Sequence, residues 1–313
     1  MQILDAHSVA DALPYGPLIE ALRDAFAGDV DVPLRAHHEV PVPGGTDGTL
    51  LLMPAWQAGR DMGVKIATVF PDNASRSLPA VHASYFLMDG TSGVPKAVLD
   101  GTELTVRRTA AASALASGYL SREDSATLLM VGTGNLAPCL IEAHATVRPI
   151  RNVVIWGRRR EAAKQLSARI AALSLNITIA DDLETAAREA DIISCATLSP
   201  DPLILGDWLS SGQHVDLVGA FKPDMREADS LAVAKASIYV DTRAGALSEA
   251  GEIVQAMKEG AIAESDICGD LSALVRGEVE GRSSADQVTL FKSVGTALED
   301  LAAARLAVDN PSS

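Results

Sequence analysis

The stretch Leu128-Leu-Met-Val-Gly-Thr-Gly-Asn-Leu-Ala137 constrains the fold of this chain more than any other. A short apolar run that ends in glycine suits a buried parallel strand. Within Gly132-Thr-Gly134-Asn-Leu-Ala137, the first glycine permits a tight turn and the second lets a backbone approach a pyrophosphate. The small third position, Ala137, lets the following helix pack close to the strand. Pro138 falls in the first helical turn, where its missing N–H costs nothing. The start of that helix then offers free amides and a positive dipole end to phosphates. Alone, a G-x-G-x-x-A pattern is weak, because ordinary glycine-rich turns also match it. A second apolar run, Asn152-Val-Val-Ile-Trp156, follows at about the 20-residue spacing of a strand–helix–strand dinucleotide-binding unit.

The rest of the chain bounds the function. Its 313 residues suit two domains or one large one, and 48% hydrophobic content can build a substantial core. A net charge of -15 repels a polyanion, which argues against a nucleic-acid partner. No apolar run approaches the ~20 residues of a membrane span. The start, Met1-Gln-Ile-Leu-Asp5, shows no basic region followed by an apolar one, so no signal peptide is expected. Cys139, Cys195 and Cys268 are odd in number and far apart, which fits buried thiols in a reducing cytoplasm.

Patterning predicts an α/β protein in two parts. A helix is expected from Tyr15 to Ala27, because Leu18, Ile19, Leu22 and Phe26 share one face. Antiparallel strands follow at Arg35–Pro43, Thr49–Trp56, Met62–Phe70, His82–Met88 and Val94–Leu99, separated by glycine turns. After an Asp100–Glu103 turn, an alanine-rich helix runs from Leu104 to Leu120. From 125 the pattern changes to alternating strands and helices, with strands at 126–131, 152–156, 176–180, 191–196, 214–219 and 236–241. That is a Rossmann-type doubly wound parallel sheet at 121–293. The α+β part at 1–120 is distinct from it, and the C-terminal helix in 294–313 is expected to pack back on that part. Only the end, Asn310–Ser313, looks loose.

Several side chains could carry chemistry. In a unit that holds NAD, a carboxylate follows the second strand and grips the ribose 2′-hydroxyl. Here the strand runs into Gly157-Arg-Arg-Arg160, and guanidinium groups suit a 2′-phosphate. NADP(H) is therefore the expected cofactor, with NAD(H) the alternative. Those arginines could instead merely open a solvated helix. Thr197, Leu198 and Gly219 fall at the carboxyl ends of the fourth and fifth strands, the side where ligands bind. Lys65 sits in a run of strand formers, where a cation points to solvent more often than inward. Arg35 is equally ambiguous. Arg107 and Arg108 lie early in a helix, where the dipole disfavours cations, which hints at a nearby anion. His37, His38, His82, His144 and His214 lack metal-ligand spacing, so no metal is expected.

These pieces together resemble the ornithine cyclodeaminase/mu-crystallin family along nearly the whole chain. The resemblance rests on Pro33-Leu-Arg35, Met53-Pro-Ala55, Gly63-Val-Lys65, Leu99-Asp-Gly101, Leu104-Thr-Val-Arg-Arg-Thr-Ala-Ala111, the Gly132-Thr-Gly134 turn and Phe291-Lys-Ser-Val-Gly295. It implies that 1–120 and the C-terminal helix in 294–313 form a split substrate-binding and dimerisation domain with the Rossmann domain inserted in it, and a homodimer built through the substrate domains. It implies that Arg35, Lys65 and Arg108 line the site of an amino-acid carboxylate, with Arg108 also near the cofactor phosphates. Three cations around one carboxylate orient the α-carbon and compensate the anion's desolvation. The cofactor contacts expected are Arg108, Thr109, Gly132, Gly134, Asn135, Leu136, Gly157, Arg158, Arg159, Thr197, Leu198, Gly219, Phe221 and Ser293.

One departure separates activities within the family. Cyclodeaminases and related alanine dehydrogenases carry an aspartate two residues before a proline after the fifth strand. Here Gly219-Ala-Phe-Lys-Pro223 puts Phe221 in its place. Phenylalanine can neither hold an amino group nor relay a proton, and Asp224 and Glu227 lie at a different offset. A cyclic imine has no free ammonium to hold. The leading expectation is thus NADPH-dependent reduction of Δ1-pyrroline-2-carboxylate or Δ1-piperideine-2-carboxylate to proline or pipecolate. Water, Glu103 and His82 remain open as proton donors. The rivals are ornithine cyclodeaminase, an alanine dehydrogenase-like enzyme, and a non-enzymatic NADPH-gated ligand binder.

Overall fold

Alternation of small and large side chains in the first hundred residues produces a sheet. A 3.6-residue apolar period before and after it produces the helices that cover one face. A computed structural model describes residues 1–76 and 78–310, so the expected loose end from Pro311 to Ser313 lies outside the described residues. Contacts divide the chain into two compact units, Met1–Arg108 with the segment from Thr296, and Thr109–Gly295.

The first unit opens with β1 (Gln2–Leu4), α1 (Ala6–Ala12) and α2 (Tyr15–Ala27). Strands β2 (Ala36–Val40), β3 (Gly48–Gln57), β4 (Asp61–Val69), β5 (Val81–Asp89) and β6 (Pro95–Asp100) follow, and then α3 (Gly101–Leu120). The sheet order is β1-β6-β5-β4-β3-β2. Strands β2 to β6 form the expected antiparallel meander, while β1 joins β6 in parallel. Neither β1 nor α1 was expected. Three residues are too few to show alternation, and α1 is set by a cap, with Asp5 Oδ1 accepting from Ser8 N at 2.9 Å. Helix α3 starts at Gly101, inside the expected turn, because Asp100 Oδ1 accepts the Glu103 N–H at 2.7 Å. The division between units falls within α3, earlier than the boundary expected at 120. Beyond Arg108 that helix bonds to second-unit groups: Ser113 Oγ donates to Asp216 Oδ1 at 2.8 Å, and the Ser117 carbonyl accepts from Arg148.

The second unit comprises β7 (Thr127–Val131), α4 (Leu136–Val147), β8 (Asn152–Trp156), α5 (Arg160–Arg169), β9 (Asn176–Ile179), α6 (Leu183–Glu189) and β10 (Ile192–Cys195). It continues through β11 (His214–Leu217), α7 (Ser230–Lys235), β12 (Ser237–Val240), α8 (Arg243–Glu249), α9 (Gly251–Lys258), β13 (Ile267–Asp270), α10 (Leu271–Arg276) and β14 (Thr289–Lys292). All pair in parallel in the order β13-β12-β14-β11-β10-β7-β8-β9. Residues 128–131 of β7 are fully buried, as a strand covered on both faces must be. The chain runs outward from β7 to β9, then returns to β10 on the other side of β7. The reversal leaves a crevice beyond the carboxyl ends of β7 and β10. Strands β13 and β14 go beyond the six expected. Ile-Cys-Gly-Asp and Thr-Leu-Phe-Lys are too short and mixed to announce strands, yet β14 sits between β12 and β11.

The last helix, α11 (Ala297–Asp309), returns to the first unit and packs on α2, β3, β4 and β5. It covers the face of β4 that carries Gly63, Lys65 and Ala67. The opposite face is apolar too. Ile3, Val98, Phe86, Val64 and Pro54 stand in one cross-strand row, with Trp56, Met62 and Met88 in the next. Trp56, Met62 and Phe86 are 39%, 36% and 37% exposed.

Candidate active site

Two groups of side chains stand out, one in each unit. In the first, the period-2 geometry of β4 turns Lys65 inward, beneath α11. A lone cation in a strand does not foretell that orientation. Here the inner face of β4 is lined by small residues, which leave room for a long side chain, and α11 supplies its counter-charge. Lys65 Nζ donates to Asp300 Oδ1 at 3.0 Å and Thr105 Oγ1 at 3.2 Å, and lies 2.8 Å from Asp300 Oδ2. Arg108 Nε donates to Asp300 Oδ1 at 2.9 Å and its Nη1 to Glu299 Oε2 at 2.6 Å. Its Nη2 has no hydrogen-bond partner among the described residues. Lys65 and Arg108 are 3% and 4% exposed, and both carboxylates are fully buried.

Burial and neighbouring charge together set the ionisation of this cluster. Burial, the largest influence, lowers Lys65 to about 8; Asp300 opposes it, while Arg108 and Arg35 add to it. Arg35, immediately before β2, is therefore close enough for its charge to act on Lys65. Burial also works against charge on Arg108, but Asp300 and Glu299 outweigh it and raise its pKa. Burial pushes Asp300 up, and Arg108 and Lys65 together hold it below the usual carboxylate range. Opposite Lys65 across the strands lies Tyr85, whose buried hydroxyl lacks a hydrogen-bond partner among the described residues and is raised by burial and by Asp300. Gly63 makes room for that ring, since a Cβ there would meet the Tyr85 oxygen at 2.2 Å.

Arg107 belongs to a different arrangement. It donates to Glu103 Oε1 at 2.9 Å and to the Leu13 carbonyl at 3.2 Å, with its guanidinium 5.5 Å from the Tyr15 ring centroid. The anion that the arginine pair hinted at is supplied by the chain: Glu103 for Arg107, and Glu299 with Asp300 for Arg108. Sequence reasoning missed Glu299 and Asp300. Their one signal was adjacency at the start of an alanine-rich helix, where carboxylates ordinarily serve the dipole.

In the second unit, a cavity of about 570 Å³ lies in the crevice past β7, β8 and β10. It brings together seven of the expected cofactor residues: Gly132, Gly134, Gly157, Arg158, Arg159, Thr197 and Leu198. Gly132 has φ +116, and a Cβ would meet the Ala196 carbonyl oxygen at 2.6 Å. At Gly134 a Cβ would meet nothing within 4 Å, so a ligand backbone has room beside the exposed helix start. Arg160 is ion-paired with Asp181, whereas Arg158 and Arg159 form no ion pair among the described residues. Glycine-walled space, free amides and two unpaired guanidiniums fit a phosphorylated dinucleotide.

The remaining expected contacts lie outside the lining of that cavity. Asn135 and Leu136 begin α4, and Thr109 is half-buried in α3. Phe221 is 41% exposed in the loop after β11. Ser293 is buried, its hydroxyl donating to Asp241 Oδ2 at 3.1 Å. Gly219 owes its missing side chain to the protein itself, since a Cβ would lie 2.0 Å from the Thr197 carbonyl oxygen. Among the described residues, no group of three His, Cys, Asp or Glu side chains is placed to hold a metal.

A doubly wound parallel sheet with a glycine-walled pocket at its reversal point defines a Rossmann-type dinucleotide-binding protein, here with a second, cation-bearing α/β unit. The chain belongs to the ornithine cyclodeaminase/mu-crystallin family, whose model matches residues 3–313. It is 38% identical to the Δ1-pyrroline-2-carboxylate reductase of Colwellia psychrerythraea over 313 residues, covering 99% of each chain. Among solved structures it is similar to the Δ1-pyrroline-2-carboxylate reductase of Thermococcus litoralis in complex with NADH and L-proline. That match has a TM-score of 0.93 and 34% identity, and covers 99% of this chain and 97% of the other. An archaeal alanine dehydrogenase dimer with bound NAD matches with a TM-score of 0.91 and 30% identity, over 99% of this chain and 95% of the other.

Proposed function

We propose that this protein is an NAD(P)H-dependent reductase of a small cyclic imino acid, Δ1-pyrroline-2-carboxylate or Δ1-piperideine-2-carboxylate, giving proline or pipecolate. The observation that carries the reading is the buried cluster in the first unit. Lys65 and Arg108 meet Asp300 and Glu299 there, and the charge of Arg35 reaches Lys65, so three cations gather where a substrate carboxylate can be held. The free Nη2 of Arg108 supplies a donor for it, and Lys65 and Arg35 complete the hold. A bound dihydronicotinamide supplies the hydride. Phe221, where relatives that handle a free amino group place aspartate, offers no partner for an ammonium, which favours an imine over ornithine.

NADPH is the preferred cofactor in this reading, because Arg158 and Arg159 are unpaired and ready for a 2′-phosphate. The first unit is the substrate-binding and dimerisation domain. Its open sheet face, with Trp56, Met62 and Phe86, is covered by the same face of a second copy. The alanine dehydrogenase dimer among the structural neighbours supports that assembly. Among the described residues no helix is long and apolar enough to cross a membrane, and the cysteines form no disulfide, which suits a reducing cytoplasm, although only Cys195 is buried as expected and Cys268 is exposed.

The test is a panel of both cyclic imines, ornithine, and pyruvate with ammonia, each with NADPH and NADH. Oxidation of NADPH with a cyclic imine is expected. Ammonia release from ornithine without net cofactor oxidation would identify a cyclodeaminase instead. Tight binding with no turnover of any compound would identify a ligand carrier.

A further inference from the structure

One buried carboxylate has no part in the chemistry above, yet it lies against the wall of the dinucleotide cavity. Glu227 is fully buried. Its Oε1 accepts the Thr197 N–H at 2.5 Å and its Oε2 the Gly219 N–H at 2.7 Å. Those amides lie just past the ends of β10 and β11, and Thr197 lines the cavity together with Leu198 and Ser199. Glu227 is itself held from behind. Its N–H donates to Glu252 Oε1 at 2.8 Å, and Glu252 Oε2 lies 3.0 Å from Lys292 Nζ at the end of β14. Glu252 and Lys292 are also buried. Three adjacent strand ends are thus tied by one chain of buried charges. Well-packed apolar residues would cost less desolvation. The bare Gly219 is part of the same device, since a Cβ there would come within 2.5 Å of Glu227 Oε1.

We propose that Glu227 is a positioning residue for cofactor binding: its carboxylate holds the Thr197–Ser199 backbone in the shape against which a dinucleotide rests. The proposal rests on the reading of the cavity as a nicotinamide dinucleotide site. The ionised form accepts both amides most strongly, because the hydroxyl oxygen of a protonated carboxyl is a weaker acceptor and its O–H is left needing an acceptor in a buried site. Burial pushes Glu227 up to about 7; Lys292 opposes that, Glu252 adds to it, and the Thr197 N–H favours the charged form. Cys195, another titratable neighbour, is pushed well above its ordinary range by burial and stays neutral. Cofactor affinity is therefore highest above pH 7 and falls below it.

The experiment is fluorescence titration of the intact protein with NADH from pH 6 to 8.5. NADH lacks the 2′-phosphate that would itself ionise in this range. The wild-type Kd is expected to rise by up to about tenfold from pH 8 to pH 6, as protonation weakens one acceptor. Glu227→Gln presents one acceptor and one donor to two donors. It is expected to raise Kd about tenfold at pH 8, flatten the pH dependence, and raise the KM for cofactor more than it lowers kcat. A flat wild-type profile, or a Glu227→Gln profile like the wild type's, overturns the proposal while leaving the cofactor reading in place. Should the variant not fold, the wild-type profile decides alone. Absence of dinucleotide binding at every pH would remove both.

Discussion

Asp300→Asn tests the logic of the buried charge cluster most directly. Asp300 meets Lys65 through both oxygens, at 3.0 and 2.8 Å, and Arg108 Nε at 2.9 Å. The substitution keeps the shape and removes the charge, leaving two buried cations with Glu299 alone. Removing one partner from a buried ionic cluster costs about 3–5 kcal/mol. At about 2–4 °C per kcal/mol, the melting temperature should fall by about 6–20 °C. The pH dependence is more diagnostic than the size. Asp300 is the principal influence raising Lys65, while burial, Arg108 and Arg35 lower it. Without Asp300, Lys65 should lose its proton ~1–3 pH units below its present value of about 8. A lysine whose folded pKa is depressed gains stability as pH rises through the folded value toward the unfolded one. In that window the unfolded chain holds a proton that the folded chain has released. That gain begins at lower pH in the variant, so its deficit relative to wild type should narrow as pH approaches 8. Urea denaturation followed by tryptophan fluorescence, from pH 5.5 to 9, measures this. A deficit below about 1 kcal/mol, or one that widens with pH, would refute the reasoning.

Three further outcomes are expected. Replacing both Arg158 and Arg159 by alanine should weaken NADPH about 10–100-fold in fluorescence titrations while changing NADH far less, because each guanidinium serves only the 2′-phosphate. Gly132→Ala should weaken either dinucleotide more than about tenfold at equilibrium, since alanine is strained at φ +116 and its methyl would crowd the Ala196 carbonyl. Phe86→Glu, on the open sheet face, should convert a dimer to a monomer in sedimentation equilibrium with little loss of monomer stability; an unchanged mass would remove that face from the interface.

The parts of this fold that were legible in the sequence are those where local pattern and tertiary role agree. The Leu128–Ala137 strand and turn and the Tyr15–Ala27 helix announce themselves because their apolar pattern is also their burial pattern, and the meander strands through runs of strand formers between glycine turns. Lys65 shows the limit. Strand periodicity places Met62, Val64 and Ile66 together and Gly63, Lys65 and Ala67 opposite, and ordinary reasoning would bury the first set. The structure buries the second, because the counter-charge arrives with a helix more than two hundred residues away in sequence. The resemblance to relatives implied an inward Lys65; the pattern could not. Strand β14 was hidden for a related reason. Its four residues owe their strand geometry to β11 and β12 on either side, a tertiary cause with no local signature.

The separation between Arg108 and Asp300, 192 positions along the chain, also bears on synthesis. The second unit is one continuous stretch and can complete its core while the ribosome is still working. The earlier sheet cannot, because α11 is translated only after the whole of the second unit. Until then Lys65 and Arg108 lack the acids that neutralise them, and a nascent chain halted before Ala297 would carry an unfinished, charge-frustrated layer that a chaperone or protease could recognise.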